Sequence, residues 1–281
     1  MMEDPRPMTA GVLGHPIGQS KSPRLFRHWF GIHGIEGAYT PYLVAPEAFE
    51  QVIRGLMAAG LRGCNCTIPH KEAALALADE VSDTARAIGA ANTLTFRADG
   101  TIHADNTDGF GFLENLRQGA PGWSATDGPA LMLGAGGAAR AAVFALLQAG
   151  CPELRLTNRT LATAQKLAAE FGDRVRVVPW ENRAEATADV GLIANSTSLG
   201  MQGQPALEMS LHAAPVGAVV TDMVYAPLET DLLASARHRG MRAVDGLGML
   251  LHQARPGFHR WFGPDPQVTD ALRTACLESS T

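Results

Sequence analysis

Short apolar runs alternate with longer amphipathic stretches along the chain, and this alternation predicts a repeating β-α order. Gly11-Val12-Leu13-Gly14 reads as a short buried strand. The loop from His15 to Pro23 is rich in turn formers, and Ser22 before Pro23 predicts a helix start with Ser22 as N-cap. Leu25, Phe26, Trp29 and Phe30 then recur on one helical face. Residues 39–44 predict a strand, 46–59 a helix and 61–67 a further extended segment. Pro69 is expected to open a helix over 71–80. Alternation of this kind favours a mostly parallel sheet.

Residues 93–96 and 101–104 flank Ala98-Asp99-Gly100, a hairpin signal. Asp105-Asn106-Thr107-Asp108-Gly109 leads into a helix ending near Gln118, and 121–129 is a loop. The rhythm then restarts with a strand at 130–133, a glycine loop, a helix over 138–148, a strand at 153–157 and a helix over 161–171. A domain boundary is expected near 108–119, and the final helix pair begins near Leu247.

Composition narrows the class. With 281 residues, two domains are the default at about 100–200 residues each. Hydrophobic residues make up 46% and charged residues 18%, which is globular composition. The net charge of −5 argues against a nucleic-acid footprint. The four cysteines, 64, 66, 151 and 276, form no CxxC, and a reduced, cytoplasmic protein is expected. The N-terminus has no apolar signal segment. The most apolar stretch, 130–150, contains Arg140 and three glycines, which fits a membrane span poorly.

Leu133-Gly134-Ala135-Gly136-Gly137-Ala138-Ala139 joins a predicted strand to a predicted helix. Gly134 permits a tight turn, Gly136 lets backbone N–H groups approach a pyrophosphate, and Ala139 lets helix and strand pack closely. The helix start offers partial positive charge to phosphates. An ordinary tight βα turn is the alternative. The next strand ends in Thr157-Asn158-Arg159-Thr160, where an NAD enzyme usually carries an acid. Arg159 instead suits a 2′-phosphate, which predicts NADP.

Lys71 is expected in the first turn of its helix, where the dipole and partial burial would lower its pKa; a solvated Lys beside Glu72 is the other reading. Asp108 fits either a partner for Lys71 or a helix N-cap. Asn92 fits a ligand or a turn, and Ser20 and Ser22 fit hydroxyl or carboxylate binding or capping. The nine histidines show no ligand spacing, the cysteines complete no zinc set, and no metal is expected. His70 is expected to pack rather than react. GxSxG is missing.

Taken in order, these segments resemble the shikimate dehydrogenase family. The resemblance runs through Pro16-Ile17-Gly18-Gln19-Ser20-Lys21-Ser22-Pro23, Asn65-Cys66-Thr67-Ile68-Pro69-His70-Lys71, Gly89-Ala90-Ala91-Asn92-Thr93 and Asp105-Asn106-Thr107-Asp108-Gly109. It continues through Gly134-Ala135-Gly136-Gly137, Asn158-Arg159-Thr160 and Asn195-Ser196-Thr197-Ser198-Leu199-Gly200-Met201. Asp222-Met223-Val224-Tyr225 and Asp245-Gly246-Leu247-Gly248-Met249-Leu250-Leu251-His252-Gln253-Ala254 complete it. Three positions depart from common family residues: Gln19 stands for His, Cys66 for Val, and Thr163 for a second basic residue.

The resemblance implies a two-domain α/β fold: an N-terminal α/β substrate domain, a Rossmann-type NADP-binding domain, and a cleft between them. The substrate domain would comprise 1–107 plus 247–281 and the NADP domain 108–246. The implied activity is NADPH-dependent, reversible reduction of 3-dehydroshikimate to shikimate, a step of chorismate and aromatic amino acid biosynthesis. Lys71 and Asp108 would be the catalytic pair. Ser20, Ser22, Thr67, Asn92, Thr107, Tyr225 and Gln253 would bind substrate. Gly134, Ala135, Gly136, Gly137, Ala138, Asn158, Arg159, Thr160, Met223 and Gly246 would bind NADP. The expected partner is a small molecule, with no nucleic acid and no membrane, on a monomer or homodimer. Two alternatives remain: a quinate/shikimate dehydrogenase with relaxed cofactor use, and a non-catalytic NADP sensor on the same fold.

Overall fold

The computed structural model describes residues 5–278. It divides the chain into two compact units. One comprises the chain up to Thr107 together with the chain from Gln253 on; the other is Asp108–His252. The first crossing falls at 107/108. The second falls at 252/253, inside the helix that starts at Leu247.

The first unit carries β1 (Thr9–Gly14), α1 (Ser22–His33), β2 (Ala38–Leu43), α2 (Phe49–Ala58), β3 (Gly63–Cys66), α3 (Lys71–Leu77), β4 (Glu80–Val81), α4 (Asp83–Ile88), β5 (Thr93–Phe96) and β6 (Ile102–Asp105). Its six-stranded sheet has the order β2-β1-β3-β5-β6-β4. The sheet is mostly parallel, as expected, with β1–β2, β1–β3 and β4–β6 parallel and β5 antiparallel to both β3 and β6. The hairpin explains the β5–β6 pairing, since a turn through Gly100 (φ 86°) returns β6 directly alongside β5.

Three local starts differ from expectation. Lys21, not Ser22, occupies the N-cap of α1, and its side chain makes no cap hydrogen bond. The Ser22 N–H is met instead by Ser20 Oγ at 3.4 Å, so the capping position moves back by one. Pro69 lies before α3 rather than in it, because Thr67–His70 forms a turn closed by His70 N–H donating to Thr67 O at 2.8 Å. The segment 46–59 starts as a 3-10 turn over Pro46–Ala48 before α2.

The second unit carries α5 (Asp108–Gly119), β7 (Ala130–Leu133), α6 (Gly137–Gln148), β8 (Leu154–Thr157), α7 (Leu161–Phe171), β9 (Val175–Val177), β10 (Leu192–Asn195), β11 (Val219–Asp222), α8 (Asp231–His238) and β12 (Arg242–Val244). All pairings are parallel, in the order β12-β11-β10-β7-β8-β9. This is the doubly wound dinucleotide-binding order, with its switch point between β7 and β10. Both faces of the sheet are covered, as parallel sheets require. Ala130 and Met132 pack into one apolar cluster, and Leu131 and Leu133 into the other.

Helix α9 (Leu247–Phe262) begins in the second unit, and its remainder, with α10 (Asp270–Leu277), belongs to the first. Phe258, Trp261 and Phe262 enter an aromatic cluster with Phe26, Trp29 and Phe30 of α1. Burying such rings contributes about 1.5–3 kcal/mol each. The apolar face read over Leu25–Phe30 is therefore covered by the C-terminal end of the chain. Gly63 leaves the room for Trp261, whose indole N–H donates to Leu94 O at 3.2 Å.

Candidate active site

The sheet of the first unit gathers several of the singled-out residues at one edge. Ser20 and Ser22 follow the carboxyl end of β1, and Thr67 that of β3. Thr107 follows β6, and Asn92 precedes β5, whose reversed direction brings its start to this edge. Backbone bonds tie these loops together. Thr67 N–H donates to Leu13 O at 2.9 Å, His15 N–H to Ile68 O at 3.0 Å and Cys66 N–H to Asn92 O at 2.8 Å.

Asn92 is buried at the centre of a polar network. Its Oδ1 accepts from the Thr107 N–H at 2.9 Å, and its Nδ2 donates to Thr107 Oγ1 at 3.1 Å and to Gln253 Oε1 at 3.0 Å. Thr93 Oγ1 donates to Asn92 Oδ1 at 2.9 Å. Asn65 Nδ2 donates to Thr93 Oγ1 at 3.0 Å and to Asn92 O at 3.1 Å, while Tyr39 OH donates to Asn65 Oδ1 at 2.6 Å. The structure thus brings Asn92, Thr107 and Gln253 together. It adds Asn65, Thr93 and Tyr39, to which sequence reasoning gave no role. Asn65 opens the 65–71 segment that carries part of the family resemblance. Tyr39 carried no signal beyond its apolar strand.

Lys71 is the first residue of α3 and half-buried. Its carbonyl accepts from the Ala91 N–H at 2.9 Å, next to Asn92. Asp108 starts α5, directly after the Thr107 that Asn92 holds. Gly109 allows α5 to lie against α6, since a Cβ there would meet Ala141 O at 2.8 Å. Lys71 belongs to the first unit, and Asp108 and Tyr225 to the second. Burial raises the Tyr225 phenol above its ordinary pKa.

Beside the network, burial alone would raise the Asp105 pKa. The Ser82 hydroxyl and the Arg260 guanidinium outweigh it and hold the carboxyl below the ordinary range. His70 is buried, stacks on Phe49 at 4.8 Å and meets Val44 O through Nε2 at 2.9 Å. Burial lowers its pKa, which suits a neutral packing role. All four cysteines are buried and free, Cys66 among the apolar core of the first unit.

In the second unit, Gly134 has φ 106°, and a Cβ there would meet Ser196 Oγ at 2.6 Å across the switch point. Gly136 is the extended N-cap of α6 and makes no side-chain cap. A Cβ on Gly136 or Gly137 would meet nothing within 4 Å, so space lies open at the helix start. Ala135 and Ala138 are half-buried, and Ala139 is fully buried against the sheet. This space and these N–H donors fit a pyrophosphate. Arg159 is exposed after β8 and has no ion pair among the described residues, while Asn158 Nδ2 donates to Thr160 O at 3.0 Å. No acid stands there to take a ribose hydroxyl. Gly246 lies against the Met223 carbonyl too closely for a Cβ, which brings these two residues together.

Asp222 is completely buried at the end of β11. It accepts from Asn195 Nδ2 at 2.9 Å, Val224 N–H at 3.0 Å and Thr230 Oγ1 at 2.8 Å. Burial still leaves its pKa above the ordinary carboxylate value. Asp222 stands in the segment that carries the family resemblance, but no local pattern marks its role in fixing the backbone at Val224. Among the described residues, no helix is long and apolar enough to cross a membrane. No group of three or more His, Cys, Asp and Glu there could hold a metal ion.

Comparison with known proteins gives a consistent result. Residues 12–94 match the model of the shikimate dehydrogenase substrate binding domain, and residues 120–211 that of shikimate / quinate 5-dehydrogenase. A shikimate dehydrogenase (NADP(+)) of Dinoroseobacter shibae is 56% identical over 268 residues, covering 95% of this chain and 96% of its own. The shikimate 5-dehydrogenase of Thermus thermophilus in complex with NADP(H) and shikimate superposes with a TM-score of 0.85 at 38% identity, covering 95% of this chain and 98% of its own. A quinate dehydrogenase from Corynebacterium glutamicum in complex with NAD gives a TM-score of 0.89 at 28% identity, covering 96% of this chain and 99% of its own. With a polar sheet edge in one unit, a glycine loop at a doubly wound switch point in the other, and more than half its residues shared with such relatives, this chain belongs to the shikimate dehydrogenase family.

Proposed function

We propose that the protein catalyses the reversible, NADP-dependent reduction of 3-dehydroshikimate to shikimate. The observation that carries this reading is the Asn92–Thr107–Gln253 network, a set of donors and acceptors, buried at Asn92 and Thr107 and half-buried at Gln253, suited to a polyhydroxylated ring. Ser20, Ser22 and Thr67 surround the same sheet edge and supply further hydroxyls; Tyr225 is the ligand proposed from the second unit. A site built to pair hydroxyls rejects analogues that lack them, because its buried groups are then left unmatched.

NADPH, when bound, supplies the hydride. The chain positions the ketone and delivers a proton to its oxygen. Lys71 is the proposed proton donor and Asp108 its partner. Two backbone links support this pairing: Lys71 O is held by Ala91 N–H, and Thr107, which Asn92 fixes, leads directly into Asp108. The helix start at Gly136–Ala138 would take the pyrophosphate, with Gly134 and Ala135 shaping the turn. Asn158, Arg159 and Thr160 would receive the 2′-phosphate, and Met223 and Gly246 would line the nicotinamide side. We also propose that the protein acts in the cytoplasm, as a monomer or homodimer, without nucleic acid.

Initial rates with shikimate or quinate, crossed against NADP or NAD, test the reading. Turnover confined to shikimate with NADP is expected. Efficient use of quinate or NAD would support the quinate/shikimate alternative. Lys71→Ala should retain NADP binding and lose about 10²–10⁴-fold in turnover; unchanged turnover would remove Lys71 from the chemistry.

A further inference from the structure

Lys21 separates the two serines of the proposed substrate loop, and three features of its setting go beyond a loop lysine. Its backbone is the N-cap of α1, with its carbonyl accepting from Arg24 N–H at 3.1 Å and Leu25 N–H at 3.2 Å. Its ammonium reaches 255 positions along the chain and donates to Cys276 O at 2.9 Å. That carbonyl lies in the last turn of α10, where helix carbonyls lack helical partners and carry partial negative charge. Arg24 donates to the neighbouring Glu278 O, and Trp29 Nε1 to Gln267 O at 3.2 Å. Residues of α1 therefore hold the C-terminal segment through its backbone carbonyls. Buried Leu272 and Cys276 seat that helix.

We infer that Lys21 is a positioning residue: by capping the carboxyl end of α10, it fixes the Ser20–Ser22 loop in its substrate-binding conformation. The inference rests on the proposed role of Ser20 and Ser22 as substrate ligands. The C-terminal helix thereby acts on substrate affinity without touching substrate. A cation is needed at position 21 and a well-formed helix end at 276, whereas the Cys276 side chain contributes nothing to the bond itself.

The test is steady-state kinetics of Lys21→Met, Lys21→Arg, Ala275→Pro and the Lys21→Met/Ala275→Pro double variant, with Ser22→Ala alongside. Ala275→Pro displaces the Cys276 carbonyl by breaking the last turn of α10, and alters nothing in the loop. Lys21→Met and Ala275→Pro should each raise KM for shikimate about tenfold, the scale of one charge-assisted hydrogen bond. Turnover and KM for NADP should stay within about twofold. Lys21→Arg should restore most of the affinity, and the double variant should be no worse than either single one. An increase with Lys21→Met but none with Ala275→Pro would overturn the inference, since Lys21 would then act on the substrate directly. If Ala275→Pro does not fold, Leu272→Ala loosens the same helix and is read in the same way. An unchanged KM in Ser22→Ala removes the serine loop from the site and the inference with it. A raised KM in Ser22→Ala with none in Lys21→Met removes the positioning role alone.

Discussion

Asn92 donates its side-chain amide to Gln253 Oε1 at 3.0 Å, joining residues 161 positions apart. The direction of this bond is dictated by Thr107. Its backbone N–H can only donate and meets Asn92 Oδ1, so the Asn92 NH₂ must face Gln253. Asn92→Ala would leave that buried N–H unmatched, a loss of about 1–3 kcal/mol. Denaturant unfolding should show this loss, and KM for shikimate should rise more than tenfold. A variant with wild-type stability and KM would show that the network neither braces the unit nor binds substrate.

The glycine loop separates fold from function. Gly136 has φ −85° and open space where a Cβ would go, so Gly136→Ala should leave Tm nearly unchanged. It should raise KM for NADP by tenfold or more by filling the phosphate space. Gly134→Ala should behave differently, lowering Tm, because φ is 106° and Ser196 stands in the way. Calorimetry with NADP titrations on both variants decides the matter. Equal effects of the two on Tm would contradict it.

Arg159 is expected to select the cofactor. Arg159→Ala should weaken NADP about tenfold to a hundredfold, the scale of lost charge-assisted hydrogen bonds, and leave NAD nearly unaffected. The ratio of kcat/KM for the two cofactors measures this. Thr163 is exposed in the first turn of α7, and Thr163→Arg should shift the ratio further toward NADP.

Stability should fall as the solution is acidified below the ordinary histidine value of 6.5. Burial lowers the pKa of His70, and of His103, so the unfolded chain takes up protons at a higher pH than the folded one. The stabilising difference is complete above 6.5 and is lost as the pH descends toward the folded values. Melting curves between about pH 7.5 and 5 should show a falling Tm. His70→Gln, which keeps a donor for Val44 O, should give a shallower slope. An identical slope would place the linkage elsewhere.

Much of this was readable from the chain alone. The second unit yields to local rules as far as α7, because β7 is buried on both faces and the glycine loop is contiguous; β9 to β12 and α8, among them the short, part-exposed β9 and β12, carried no reading. The β5–β6 hairpin was legible through Ala98-Asp99-Gly100. Helix α4 was not. Its cap, with Ala85 N–H donating to Ser82 Oγ, sits in a short polar stretch without a clear apolar period. The direction of β5 relative to β3 was equally hidden, since it follows from which strands become neighbours. The Asp105–Arg260 pair spans 155 residues and Tyr39–Asn65 joins two strands, so neither leaves a local pattern. Long-range partners become visible only once the sheet sets their register.

The aromatic seam between α1 and the end of α9 has a consequence for how the protein is made. The ribosome delivers the whole second unit before Phe258 and Trp261 exist to cover Phe26 and Trp29. At roughly 5–20 residues per second, the first-made half waits on the order of ten seconds or more for its missing wall. During that interval its apolar helix face is uncovered while the dinucleotide-type unit can already close its own core. The earliest-born part of the molecule is thus the last to mature, and its premature release by a stop codon in α9 should yield a chain that aggregates despite an intact second unit.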